Sequence, residues 1–415
     1  MRVKPSLLLC VGALAVATVA GAAPRVSGPE MQVNQVSTHV EQRHPVAAYA
    51  KNSGALVVWE DEQAGLKGRF LAKDGHTLGG DLTLVTNQLL ASIPAQGNVV
   101  YRRSPAVAFL PNGGFALLWT EEMDFELLDA FNQQDRLLRR DVYGRIFSAA
   151  GAAVGGPFRV NGAGERLASA PQVVVRGSDF LVAYQNQSNA QKGVFLRRFN
   201  LSGQPIGTEI QVSAPSVVAT DPAIAAGAGG RVAVAFDAPD ASGLGSFVQL
   251  FNANLQPLGG EVRVNTTLAG NQFRPAIAAN AAGQYLVAWS GQYGSPYRYR
   301  VFGQVVGETG NLIGGQLALS GGSNRYEITP SVAAGPHGDF LAVWLAFNKD
   351  ALPSGIYANQ VDALGHPGTE EQINELAINY NTRSSLVTDG AGHFLAPWEG
   401  FAGQNPAIAA QHISE

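Results

Sequence analysis

The protein has 415 residues, of which 14% are charged, and its formal net charge is −4 at pH 7. This mildly acidic chain lacks the excess of Lys and Arg on which general nucleic-acid binding depends, so we expect no nucleic-acid partner. Cys10 is the only cysteine, which excludes a disulfide within the chain. Stability must therefore come from a large packed core.

The first 22 residues have the features of a secretion signal. Arg2 and Lys4 form a positive start, an apolar run follows from Ser6 to Val19, and small residues at 20–22 form a cleavage site. The run is too short and too rich in small residues for a membrane span, and no later stretch is long and apolar enough to be one. We expect a signal peptide at 1–22 and a secreted or periplasmic protein at 23–415.

A pattern recurs seven times along the rest of the chain. Each unit opens with a segment of P-x-V/I-A type, and the openers are about 50 to 66 residues apart. Thirteen or fourteen residues after the opener comes an aromatic residue: Trp59, Trp119, Tyr184, Phe236, Trp289, Trp344 or Trp398. This period is typical of four-stranded propeller blades. We expect the repeat aromatics to be buried between neighbouring blades, and not to stack on a ligand.

Each unit contains four short strand segments separated by turns. In the fifth unit these segments are Pro275 to Ala279, Gln284 to Trp289, Tyr299 to Val306 and Gly314 to Leu319. Regularly spaced glycines between Val, Ile and Phe runs indicate tight turns and strands, not helices. A proline at the head of the first strand removes no hydrogen bond from the ladder.

The two ends of the repeat are complementary. The seventh unit stops after its third strand at Ile413, whereas Gly28 to Asn34 has the pattern of a fourth strand without a unit of its own. A ring closes if this segment completes the last blade, because closure leaves no open sheet edge at the seam. The sequence therefore predicts an all-β, monomeric, seven-bladed β-propeller with four strands per blade, closed by a strand at 28–35.

The repeat resembles that of uncharacterised secreted bacterial β-propellers, P-x-V-A…G-x-F-L-V-x-W…D-x-Y-G-x-x-F…G…V-G-G…V-N. The likeness is clearest in the second unit, at Pro105, Trp119, Asp141, Tyr143, Gly144, Gly151 and Asn161. The fourth unit departs from it, with Phe236 in place of Trp and Leu255 in place of a turn glycine. The resemblance implies the propeller fold and export, and it implies no catalytic residues.

The longest insertion, Thr120 to Asp141, separates the second and third strands of the second unit. Its apolar residues have a spacing compatible with one or two amphipathic helical turns: Phe125, Leu128, Phe131, Leu137 and Leu138. Long insertions in repeat proteins lie on one face, which is often the binding face. A binding role and simple packing on its own blade are both open.

Six of the seven connections from a fourth strand into the next inner strand carry an arginine. These connections should surround the mouth of the central channel, where guanidinium groups could bind an anionic group and tyrosines could stack on a sugar. The alternative is that the arginines pair with local carboxylates, such as Glu165, Glu327 or those that follow the tryptophans. The candidate ligand-binding residues are Arg43, Arg103, Arg274, Arg325, Tyr326, Tyr380 and Arg383.

No motif indicates a cofactor, a metal site or a catalytic nucleophile. Carboxylates that could serve acid–base chemistry do follow two tryptophans, but charges at strand ends are more often solvated: Glu60, Asp61, Glu62, Glu121 and Glu122. We therefore expect no metal or cofactor, and a binding module that recognises a carbohydrate, an anionic polymer or a protein at the channel mouth. The alternative is a polysaccharide-active hydrolase or lyase that uses carboxylates on the same face.

Overall fold

Seven antiparallel sheets, one for each sequence repeat, form the blades of a propeller in this computed structural model. The structure describes residues 24–35, 40–50, 54–89, 99–128, 134–162, 164, 167–188, 191–215, 217–267, 269–294, 298–321, 325–347, 354–375, 378, 384–402 and 405–414. Within these residues no helix is long and apolar enough to cross a membrane.

The strands follow the repeats in order. The chain begins with β1 (Arg25–Val26) and β2 (Met31–Gln32). Blade 1 contains β3 (Gln42–Ala50), β4 (Gly54–Asp61), β5 (Gly65–Leu71) and β6 (Thr77–Thr86). Blade 2 contains β7 (Gln88–Leu89), β8 (Val99–Phe109), β9 (Phe115–Leu128), β10 (Gln134–Phe147) and β11 (Ala153–Arg159). Blade 3 contains β12 (Ala168–Arg176), β13 (Asp179–Gln187), β14 (Lys192–Asn200) and β15 (Ile210–Gln211).

The second half of the ring repeats this arrangement. Blade 4 contains β16 (Thr220–Ala226), a 3-10 turn (Ala228–Gly230), β17 (Val232–Asp240), β18 (Gly243–Phe251) and β19 (Val262–Arg263). Blade 5 contains β20 (Gln272–Ala279), β21 (Tyr285–Tyr293), β22 (Arg298–Val306) and β23 (Leu312–Ala318). Blade 6 contains β24 (Tyr326–Ala334), β25 (Phe340–Phe347), β26 (Gly355–Val361) and β27 (Glu371–Gln372). Blade 7 contains β28 (Val387–Thr388), β29 (His393–Ala402) and β30 (Asn405–Ser414).

The core lies between the blades. Buried apolar side chains of the described residues form seven clusters, and each cluster combines side chains from two neighbouring blades. All seven repeat aromatics are at most 1% exposed, which confirms that they are core residues. Leu255 takes the place of a turn glycine with φ of 61°, in the left-handed region that the corresponding Gly203 also adopts.

The N-terminal segment closes the ring, as predicted. β1 and β2 both pair with β30 of blade 7. The N–H of Val33 donates to the carbonyl of Ile408 at 2.7 Å, and the N–H of Ile408 donates to Oδ1 of Asn34 at 2.8 Å. Val142, Val160 and Asn161 make the same two hydrogen bonds inside blade 2. The segment around Val33 is therefore the fourth strand of blade 7.

The repeat prolines lie inside the inner strands, so the prediction that they head these strands was wrong. Arg43 pairs with Glu60 and Val46 with Val58, so His44 and Pro45 together face Trp59 in a β-bulge. The same bulge faces the repeat aromatic in blades 2 to 6. An inner strand turns one edge to the channel, and a bulge on that edge accepts a residue without an N–H.

The predicted helical turns in the insertion of blade 2 were also wrong. β9 and β10 pair continuously from Phe115 and Phe147 out to Leu128 and Gln134, so the insertion extends a β-hairpin. Phe125 and Leu128 lie in β9, Leu137 and Leu138 lie in β10, and Phe131 is outside the described residues. A helix of one or two turns is costly to nucleate, whereas each added strand residue continues an existing ladder.

Candidate functional site

The inner strands surround a cavity of about 480 Å³ in the central channel. All inner strands begin at the same face of the propeller, which we call the entry face. Because neighbouring strands are antiparallel, the turn between β9 and β10 lies at that face too. The residue at the start of each bulge lines the cavity in blades 1 to 6. In blade 7 the equivalent residue is Arg383, outside the described residues, and Ser384, at the position of the repeat proline, lines the cavity there. The seven cavity-lining residues, which we call the channel ring, are His44, Ser104, Ala170, Asp221, Arg274, Thr329 and Ser384.

The backbone of the channel ring is strained in six blades. The φ angles of its residues in blades 1 to 6 lie between 48° and 56°. L-amino acids rarely adopt this left-handed region, and each such residue costs about 1–3 kcal/mol. A following proline normally directs the residue before it to extended conformations. A strain that occurs six times at one position must be held by the surrounding contacts.

A side chain of the preceding blade holds each strained residue. The N–H of Ser104 donates to Oε1 of Glu60 at 2.6 Å, and the N–H of Arg274 donates to Oδ2 of Asp237 at 2.7 Å. In each case the acceptor is the residue directly after the repeat aromatic. The six side chains, which we call post-aromatic acceptors, are Glu60, Thr120, Gln185, Asp237, Ser290 and Glu399. In blade 6 this position is Leu345.

Two carboxylates flank His44, which is 39% exposed at its side chain. Its Nδ1 lies 2.9 Å from Oε1 of Glu60, and its N–H donates to Oε1 of Glu399 at 2.8 Å. Burial raises the pKa of Glu60, but hydrogen bonds from His44 and Ser104 and the charge of Arg103 outweigh it and hold the pKa below its ordinary value. Burial raises the pKa of Glu399, and the charge of nearby Glu60 adds to this effect.

On the blade 4 side, the acceptor is the fully buried Asp237. Burial raises its pKa well above the ordinary value, and the nearby Asp221 raises it further. The N–H of Arg274 and the Ser246 hydroxyl, which is 3.3 Å away, only partly oppose this shift. The charged form of this carboxyl is therefore disfavoured.

No protein-family model and no curated protein matches the chain. Among solved structures, a protein of unknown function from Dyadobacter fermentans DSM 18053 is 10% identical, with a TM-score of 0.57 over 94% of this chain and 99% of that chain. An ulvan lyase, from a new family of polysaccharide lyases, is 10% identical with a TM-score of 0.59 over 94% of each chain. Its structure bound to GlcA(1-4)Rha3S has a TM-score of 0.58 at 10% identity, over 92% of this chain and 95% of that chain. The likeness shows a shared propeller fold.

The predicted arginines occupy different environments. Arg274 belongs to the channel ring. Arg103 lies next to the ring, where its Nη1 is 3.3 Å from Oε2 of Glu60 and its guanidinium carbon is 4.8 Å from the centroid of Tyr101. Arg43 forms an ion pair with Glu41. The structure thus brings one predicted arginine into the ring, and two others, Arg43 and Arg103, directly precede ring residues.

The remaining candidates lie on blade 6 or beyond the described residues. Arg325 pairs with Glu327 at 3.3 Å and with Glu370, and its guanidinium carbon is 4.2 Å from the centroid of Tyr357. Tyr326, the next residue, is partly buried and stacks on a phenylalanine. Tyr380, Arg383, Arg166 and Glu165 lie outside the described residues.

Sequence reasoning missed most of the channel ring: His44, Ser104, Asp221 and Thr329. A signal was present, because each of these residues directly precedes the proline of its repeat. No single residue type marks this position, since it carries a different residue in each of these blades.

Proposed function

We propose that the protein is an exported carbohydrate-binding propeller whose ligand enters the channel at the channel ring. The observation that carries this proposal is the strained backbone of six ring residues around one cavity. Backbone strain persists only where its surroundings hold it, and it concentrates at ligand and active sites. A frame that is rigid before binding loses little entropy when the ligand arrives.

The side chains of the ring suit a polyhydroxylated ligand. Asp221 accepts hydrogen bonds, Arg274 donates them, and the hydroxyls of Ser104 and Thr329 do both. A few convergent polar groups in a concave site are typical of small-molecule sites. The ulvan lyase that shares the propeller fold was solved with a bound glycan, which supports the same class of ligand here. Arg274 favours an anionic sugar, because guanidinium groups pair strongly with carboxylates and sulfates.

Binding is favoured over catalysis because the post-aromatic carboxylates already have a structural task. Glu60, Asp237 and Glu399 each accept a backbone N–H of the ring. A polysaccharide-active hydrolase or lyase is the second candidate function, and His44 is the observation that favours it. A buried carboxylate orients this partly exposed imidazole, which is the arrangement of a general base.

A glycan array that measures both retention and product release tests the proposal. We expect the protein to bind acidic oligosaccharides, and Asp221→Asn and Arg274→Gln to weaken binding about ten- to a hundredfold. This expectation follows because a hydrogen bond to a charged group contributes about 1.5–3 kcal/mol. Arg231→Gln is the matched control, because Arg231 pairs with Glu308 at a turn on the opposite face.

Three outcomes separate the candidates. Loss of binding in both ring variants, with the control unchanged, supports the binding function. Released product that disappears in His44→Asn supports the enzyme instead. If the parent protein retains no glycan, or if both ring variants bind as the parent does, the channel ring is not a carbohydrate site.

A further inference from the structure

Four aromatic rings form a continuous row on the entry face of blades 5 and 6. All four are at strand ends on that face, at the starts of β20, β22 and β24 and at the end of β25. We call this row the aromatic strip. It consists of Phe273, Tyr299, Tyr326 and Phe347.

The rings of the aromatic strip contact one another in sequence. The centroids of Phe273 and Tyr299 are 5.2 Å apart in an edge-to-face arrangement, and those of Tyr299 and Tyr326 are 6.1 Å apart. Tyr326 stacks on Phe347 at 5.2 Å with 11° between the ring planes. Each of these residues is only partly buried, unlike the repeat aromatics of the core. The row therefore leaves aromatic surface accessible on the entry face.

One arginine lies at the channel end of the aromatic strip. Arg274 directly follows Phe273, and its guanidinium carbon is 5.9 Å from the ring centroid. Arg300 directly follows Tyr299, so its side chain leaves the other face of β22 and lies over Tyr293. Arg325 directly precedes Tyr326 and pairs with two carboxylates. Because Arg274 is a member of the channel ring and contacts Phe273, the strip is continuous with the ring.

We propose that the aromatic strip is a stacking track for an anionic glycan chain that has one end in the channel ring. Aromatic faces pack against the apolar C–H faces of sugar rings, while tyrosine hydroxyls stay in contact with water. The guanidinium group of Arg274, beside Phe273, binds a carboxylate or sulfate substituent of the chain. The inference rests on the proposed function and adds that the ligand is a chain of several acidic sugars. A short ligand fills the ring alone, and a longer ligand gains the contacts of the strip.

Fragments of two lengths separate the strip from the ring. The probes are two-sugar and ten-sugar fragments of alginate, polygalacturonate, chondroitin sulfate and heparin, with dextran fragments as uncharged counterparts. The strip variant combines Tyr299→Leu and Tyr326→Leu, which keep apolar bulk and remove the flat rings. Tyr101→Leu is the matched control, because Tyr101 is a partly buried tyrosine beside Arg103 on the entry face of blade 2.

We expect the parent protein to bind an acidic ten-sugar fragment about tenfold more tightly than the two-sugar fragment, because only the longer fragment reaches the rings of the strip; this corresponds to about 1.4 kcal/mol. The strip variant should lose this difference and keep its affinity for the two-sugar fragment. Tyr101→Leu should behave as the parent does. Tyr299→Phe, which keeps the ring, should retain the preference and guards against misfolding of the leucine variant.

The outcomes distinguish the two proposals. The stacking track is overturned if the strip variant binds the ten-sugar fragments as tightly as the parent does. It is also overturned if the parent binds the dextran fragments as tightly as the acidic ones. Either result leaves the channel ring as a site. A parent that binds no fragment of either length overturns the proposed function together with the track.

Discussion

Glu60 in blade 1 and Asp237 in blade 4 occupy the same position of the repeat and accept the same backbone hydrogen bond, yet their pKa values shift in opposite directions. Glu60 also contacts an imidazole and a guanidinium, which stabilise its charge. Asp237 has a serine hydroxyl and a backbone N–H as its contacts, so burial dominates. The strained bulge requires a side chain that accepts its backbone N–H. The groups around that side chain decide whether the charged form of its carboxyl is stabilised.

Removing the aromatic residue next to each acceptor should have the largest effect and should be alike in the two blades. Trp59→Ala and Phe236→Ala each leave a cavity between neighbouring blades, and we expect each to lower the free energy of unfolding by about 3–5 kcal/mol. Urea unfolding monitored by circular dichroism measures this. If one of these losses is below about 1 kcal/mol, the two blades differ in packing as well as in charge. Differences between the Glu60 and Asp237 variants could then not be assigned to the acceptor alone.

Replacing each acceptor carboxyl by the neutral amide of the same shape should affect the stability of the two blades differently. Glu60→Gln removes the charge that Arg103 and His44 contact, so we expect a loss of about 1–3 kcal/mol at pH 7. Asp237→Asn keeps an oxygen for the N–H of Arg274 and removes a charge that burial disfavours. We expect its free energy of unfolding to be unchanged or up to about 1 kcal/mol higher. Equal losses in the two variants would show that the pKa shifts do not reflect stability.

The same variants should respond to pH with opposite signs. The pKa of Asp237 is raised in the folded protein. Its contribution to the free energy of unfolding is therefore complete below its ordinary pKa and is lost as pH rises through the raised pKa. The folded pKa of Glu60 is lowered, so its contribution is present above its ordinary pKa and is lost as pH falls through the folded pKa. Urea unfolding between about pH 3 and pH 8 should therefore show the advantage of Asp237→Asn growing with pH. The deficit of Glu60→Gln should shrink in acid.

His412, which lies where the N-terminal segment closes the ring, should cause a smaller loss of stability in acid. Replacing it removes this loss and sharpens the comparison of Glu60 with Asp237. His412 is buried in β30, and its carbonyl accepts the N–H of Ser27. Burial, followed by the charge of His393, lowers its pKa, and Asp74 only partly opposes this. The contribution of neutral His412 to the free energy of unfolding is therefore complete above the ordinary histidine pKa. It is lost as pH falls through the lowered pKa of the folded protein. We expect His412→Gln to flatten the stability curve in that window, and an unchanged curve would exclude the seam as its source.

The overall fold was predictable because it depends on local periodicity. The spacing of the repeat aromatics predicted the blades, and the similarity of Gly28 to Asn34 to a fourth strand predicted the closure. The channel ring was not predictable in the same way. Ser104 and Thr329 are ordinary residue types, and only a two-to-one bulge with positive φ turns them toward one cavity. The strip was missed because Tyr299 and Tyr326 belong to different repeats, and their rings meet only because blades 5 and 6 are neighbours.

The six strained ring residues hold their conformation through backbone N–H groups, so their own side chains need take no part in the frame. His, Ser, Ala, Asp, Arg and Thr all occupy the same backbone geometry around the channel. The side chains of the proposed ligand site can therefore be changed one blade at a time without redesigning the fold. The scaffold offers protein engineers a set of interchangeable positions around a single cavity.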